Sequence, residues 1–80
     1  MKKFNAEYEI LREVIIGDVI ISLGFCPEAV GCYATWRSKV EEPSVYFLGH
    51  YFLTFEDCLV DFYKRSYYLA LSLKDYSSWI

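Results

Sequence analysis

Apolar positions from Tyr8 to Phe52 suit a period of two, and from Phe55 onward they follow a period of 3.6. Tyr8 to Ile16 is rich in β-branched residues, and Gly17-Asp18 separates it from Val19 to Phe25. A two-residue Gly-X loop between such runs predicts a type II′ hairpin, because glycine supplies the positive φ of the first central position. Pairing Ile16 with Val19 sets Val14 against Ile21, Arg12 against Leu23 and Ile10 against Phe25. That face is nearly all apolar and is the expected core side, with Glu9, Leu11, Glu13, Ile15, Ile20 and Ser22 opposite.

Pro27 and Gly31 mark residues 26–31 as a loop. A third strand is expected over residues 32–40, a turn over Glu41-Glu42-Pro43-Ser44, and a fourth strand over residues 45–52. Pairing Val40 with Val45 places Thr35 opposite His50, Arg37 opposite Leu48, and Trp36 opposite Gly49, whose bare backbone the indole can cover. A slip of one residue would invert every face.

The helix signal is local and clear. Thr54 can cap, Asp57 stands three residues later, and Leu53 with Cys58 has staple spacing. Phe55, Cys58, Leu59, Phe62, Ser66, Leu69, Ala70 and Leu73 form the apolar stripe, so a helix is expected to about Leu73, although Tyr67 to Leu73 also alternates as a strand would. Early acids (Glu56, Asp57, Asp61) and late bases (Lys64, Arg65, Lys74) suit the helix dipole. The predicted architecture is α+β: one domain over residues 1–80, with a four-stranded antiparallel meander and one C-terminal helix packed on one face.

Composition narrows the function classes. At 80 residues, 55% hydrophobic and 20% aromatic, the chain is too apolar for disorder and too short for a Rossmann unit or a transporter. Eight basic against eleven acidic residues give a net charge of −3, which offers no excess to hold a nucleic-acid backbone, so no direct nucleic-acid partner is expected. Glu7, Glu9, Arg12 and Glu13 interrupt any signal-like apolar region, and no run is long enough to span a bilayer; a cytoplasmic protein with no membrane partner is expected. Three cysteines do not close a disulfide framework, so reduced thiols are expected.

Cys26, Cys32, Cys58 and His50 are numerically enough for zinc. Five residues separate Cys26 from Cys32, and Cys58 sits on the apolar helix stripe, so no metal and no cofactor are expected. His50 is the sole histidine, and no phosphate-binding loop or nucleophile elbow accompanies it, so the chain is not expected to be an enzyme. On the proposed register Tyr33, Thr35, Arg37 and His50 share a face that could hold an anionic metabolite or nucleotide, with Arg37 and His50 as donors. The alternative for His50 and Thr35 is an ordinary cross-strand pair on the solvent side. Glu41, Glu42, Glu56, Asp57 and Asp61 read as solvated surface, with a local acidic patch that meets a basic partner as the alternative.

Aromatic residues exceed what one helix on one sheet can cover. Trp36, Phe47 and Tyr51 fall on one face of the third and fourth strands, and Tyr33, Tyr46, Leu48 and Phe52 on the other. Val60, Tyr63, Tyr67 and Leu71 form a second helix stripe. Such rings serve interfaces, so the helix stripe is the first expected partner surface, and Tyr46, Leu48 and Phe52 are the second. A host protein or a second copy of the chain is the expected partner. Coverage by the tail, through Tyr76, Trp79 and Ile80, is the alternative.

The segments Tyr33-Ala34-Thr35-Trp36, Tyr46-Phe47-Leu48-Gly49-His50-Tyr51-Phe52, Phe55-Glu56-Asp57 and Asp61-Phe62-Tyr63-Lys64-Arg65 resemble a group of small proteins from phages and mobile elements of Gram-positive gut bacteria. The likeness spans roughly residues 10–65, and the chain departs from it with Ala34 and Leu48 where the group has valine and tryptophan. The resemblance brings no catalytic residues. It implies a mobile-element setting, in which small proteins inhibit or regulate host proteins, anti-CRISPR inhibitors among them. The function expected is therefore a non-catalytic interaction protein, with a small-ligand binder on the Arg37–His50 face as the alternative.

Overall fold

The computed structural model describes residues 2–77 of the chain, with side chains through Lys74. Its elements are β1 (Phe4–Asn5), β2 (Tyr8–Ile16), β3 (Val19–Phe25), β4 (Tyr33–Lys39), β5 (Glu42–Phe52) and α1 (Phe55–Ser77). The strands form one antiparallel sheet in chain order, and the helix follows, so the fold is α+β. The sheet has five strands where four were expected. The extra strand, β1, is two residues long and pairs Phe4 with Glu9 and Asn5 with Tyr8. Its turn sets Ala6 at φ 51°, a conformation that an alanine does not advertise.

The β2–β3 hairpin forms on Gly17-Asp18, with Gly17 at φ 64° and the expected pairs from Ile16–Val19 to Arg12–Leu23. A bulge at Leu11 then shifts the register, so Ile10 meets Gly24 and not Phe25. β4 and β5 keep the expected pairs Tyr33–Phe52, Ala34–Tyr51 and Thr35–His50, and diverge beyond them. Arg37 pairs with Phe47, not Leu48, and Lys39 pairs with Glu42. The turn is thus Val40-Glu41, two residues before Pro43, and the surplus residues are taken up by bulges within β5. One bulge centres on Leu48, at φ 54°. Pro43 is tolerated inside this strand because β5 is the sheet edge, where a missing N–H need not break a ladder.

α1 packs on one face of the sheet. Ile21 and Leu23 of β3 meet Cys58 and Phe62 of α1, with Val14, Val19, Tyr33, Phe52, Phe55, Leu59 and Leu69 around them. Burying side chains of the size of Ile21, Leu23 and Phe62 contributes about 1.5–3 kcal/mol each. Thr54 caps the helix, its Oγ1 accepting from the Asp57 N–H at 3.2 Å. The staple does not close: Leu53 is 72% exposed while Cys58 is fully buried. Residues 67–73 are helical, and the helix runs on to Ser77. Leu73 packs over Gly17 at the tip of the β2–β3 hairpin. No helix among the described residues is long and apolar enough to cross a membrane.

The centre of the second sheet face is covered by the sheet's own rings, while Ile15 and Tyr51 on it stay exposed. Trp36 is buried there, edge-on to Tyr8 of β2 at 5.2 Å and to Tyr46 of β5 at 5.7 Å. Its Nε1 donates to the Tyr51 hydroxyl at 3.3 Å. At about 4.8 Å per strand a flat sheet would hold β2 and β5 some 14 Å apart. The Tyr8 and Tyr51 rings are 6.1 Å apart, so β2 and β5 both lean these rings inward over Trp36. The β5 bulges therefore put Tyr46 on the Trp36 face, opposite to the side expected for it, and Phe47 on the helix side beside Arg37. Trp79, Ile80 and the Tyr76 side chain lie outside the described residues.

Candidate functional site

Where α1 crosses β4 and β5, a polar network replaces the apolar core. The Thr35 hydroxyl is fully buried; it donates to Asp61 Oδ2 at 2.6 Å and accepts from Arg65 Nη1 at 2.9 Å. The same Nη1 lies 3.4 Å from the Thr35 carbonyl oxygen. Opposite Thr35, the exposed His50 places Nδ1 3.0 Å from Asp61 Oδ2 and 3.2 Å from Oδ1. The Asp61 carboxylate can only accept, so Nδ1 carries the hydrogen. Asp61 is thus no part of a solvated acidic surface. It ties the helix to two strands at once.

This arrangement orients an imidazole as an acid–base site would. The hydroxyl closest in the network, that of Thr35, is sealed from solvent and already gives its proton to Asp61, so it cannot serve as the nucleophile of such a site.

The four residues expected to hold a ligand share the helix-facing side of the sheet, yet they do not converge. Tyr33 packs against the core, its ring tilted between Phe25 at 4.8 Å and Phe55 at 5.7 Å. Thr35 is saturated, and His50 is held by Asp61. Arg37 points elsewhere, into a cleft of about 350 Å³ that it shares with Ile21 of β3 and Arg65, Tyr68, Leu69 and Ser72 of α1. Burial lowers the pKa of the Arg65 guanidinium from its ordinary value; Asp61 opposes that shift and Arg37 adds to it. Asp61 and Arg65 were the partners that the sequence did not reveal. Their one signal was a pair of opposite charges four residues apart, bordering the apolar stripe.

The residues expected at a partner interface separate into two groups. Val60 at 54%, Tyr63 at 53% and Tyr67 at 60% exposure stand on the outer side of α1, with Leu71 half-buried beside them. Arg12 of β2 donates to the Tyr63 hydroxyl at 3.2 Å, which steadies that ring. Of the second set, Leu48 is exposed on its bulge, Phe52 packs against the core, and Tyr46 packs against Trp36. Tyr68, outside the expected stripe, is also exposed and lies against Tyr67 at 5.5 Å.

Cys58 is in the core, where burial foremost, with Asp61 and Cys32 adding to it, pushes its thiol up to about 12. Cys26 is buried and Cys32 half-buried at the two ends of the β3–β4 loop, joined by a 2.8 Å backbone hydrogen bond from the Cys26 N–H to the Cys32 carbonyl. Among the described residues no group of three or more His, Cys, Asp or Glu is gathered so as to hold a metal ion. No protein-family model matches the chain, and neither a curated protein nor a solved structure is significantly similar to it.

Proposed function

We propose that this is a non-catalytic interaction protein that docks on a macromolecular partner through the outer stripe of α1. The observation that carries the proposal is the exposure of Val60, Tyr63 and Tyr67 on one side of a helix whose core side is already filled by the sheet. Residues at i, i+3 and i+7 line one helix face, so the three form a continuous strip. Tyrosine anchors add affinity because a rigid ring loses little entropy on docking and keeps a hydroxyl for a polar contact. The partner is a host protein or a second copy of the chain. A mobile-element origin, and action as an inhibitor or regulator of the anti-CRISPR or another anti-defence kind, extend the proposal on the resemblance alone.

Tyr63→Ala tests it. The variant should weaken association by about 1–3 kcal/mol, read by sedimentation for self-association or by titration with the partner. It should leave the fold intact, because Phe55, Leu59 and Phe62 carry the core contacts. Unchanged association in that variant and in Tyr67→Ala would refute the surface.

A second reading, a small-anion binder using Arg37, is supported by the cleft that Arg37 lines with Arg65 and without a carboxylate among the described residues.

A further inference from the structure

We infer that the cleft between β3–β4 and the second half of α1 is a binding site for a dianionic phosphoryl group on a small molecule, gripped by Arg37 and Arg65. The inference rests on the second reading, the anion binder at Arg37, and is independent of the helix stripe, which lies on another side of α1.

Four observations converge on it. Arg37 from β4 and Arg65 from α1 line one cleft of about 350 Å³, and no carboxylate among the described residues lines it with them. Neither guanidinium forms a salt bridge among the described residues. Arg65 spends Nη1 on Thr35, which fixes its plane against the sheet and leaves its other N–H groups for a ligand. The two guanidinium groups are near enough for Arg37 to disfavour the charge on Arg65, which Asp61 offsets in part. Two neighbouring cations repel, and one anion between them relieves that repulsion.

The chemistry selects the ligand class. The two guanidinium forks present donors in the planar geometry that phosphate oxygens match, and two positive charges draw a dianion more strongly than a carboxylate, even with Asp61 offsetting part of the Arg65 charge. Ser72 adds a hydroxyl to the rim, while Ile21, Leu69 and the Tyr68 ring supply apolar walls for an organic remainder. The volume is at the small end of ligand sites, suiting one phosphorylated small molecule. The net charge of −3 sets the chain against a polyanionic strand.

Phenyl phosphate is a suitable probe, with benzoate as the monoanionic control of the same ring. Both are titrated at constant ionic strength while the side-chain Nε–H signals of the arginines are followed by NMR. Saturable shifts of the Arg37 and Arg65 signals are expected with phenyl phosphate, with a Kd below about 1 mM, and at least tenfold weaker binding with benzoate. Arg37→Gln should abolish the shift at Arg65. Should that variant fail to fold, Arg37→Lys keeps the stem and charge but loses the fork, and should weaken binding about tenfold. The site is refuted if phenyl phosphate gives no saturable shift or shifts Arg12 equally, or if Arg37→Lys binds as wild type does. Equal affinity for benzoate refutes the phosphoryl assignment.

Discussion

Thr35 Oγ1 and Asp61 Oδ2 lie 2.6 Å apart, joining the middle of β4 to α1 through a hydroxyl that no solvent reaches. The hydroxyl is used twice, as donor to Asp61 and as acceptor from Arg65. Valine would fill the same space and satisfy neither partner. Thr35→Val should therefore destabilise the chain by about 1–3 kcal/mol, the cost of polar groups left short of a partner. Urea unfolding at neutral pH measures it, and a variant as stable as wild type would show that water replaces the hydroxyl at no loss.

Trp36 depends on two glycines in a comparable way. A Cβ on Gly24 would meet its Cζ3 at 2.7 Å, and one on Gly49 would meet its Cδ1 and Nε1 at 2.9 Å. The indole thus spans from β3 to β5 across bare backbone. Gly24→Ala should cost about 1–3 kcal/mol, since the buried ring has to leave its seat. Trp36 fluorescence should report the change as greater solvent exposure; an unaltered emission maximum with unaltered stability would contradict this packing.

Local signals were the legible ones. Gly17-Asp18 specifies its own turn and Thr54 its own helix start, because the chemistry of each is complete within a few residues. The Trp36–Gly49 contact was also legible, since it lies one residue past the Thr35–His50 pair, where the bulge begins but the indole still covers the glycine. Beyond it the fourth strand was misjudged. Leu48 adopts a positive φ that leucine does not signal, and one bulge is enough to move Tyr46 and Phe47 to exchanged faces. The polar network was out of reach for another reason. Thr35 and His50 could be paired from strand register, but Asp61 and Arg65 join them only through the angle at which α1 crosses the sheet, and no spacing in the chain encodes that angle.

Cys58 gives the chain a specific response to alkali. Its folded thiol is raised from 9.0 to about 12, chiefly by burial, so it stays protonated when the unfolded chain would ionise. Its contribution is complete below pH 9 and falls away as pH rises toward about 12, by at most about 1.4 kcal/mol per pH unit. Burial raises the Tyr8 phenol in the same direction, so the loss steepens at higher pH. Urea midpoints between pH 8 and pH 11 should fall less steeply in Cys58→Ala than in wild type. Equal slopes would mean that the thiol is not held protonated by the core.

The outer stripe of α1 carries the central claim, and a photo-crosslinking amino acid placed at single positions tests it most directly. Position 67 lies within the stripe, while Ile15, 63% exposed on β2, is an equally accessible control outside it. With the purified protein and its partner, or with a second copy of the chain, the probe at position 67 should give a crosslinked product that Tyr63→Ala suppresses, and the probe at position 15 should give none. Crosslinking at position 15 alone, or at neither position while binding persists, would contradict the docking surface.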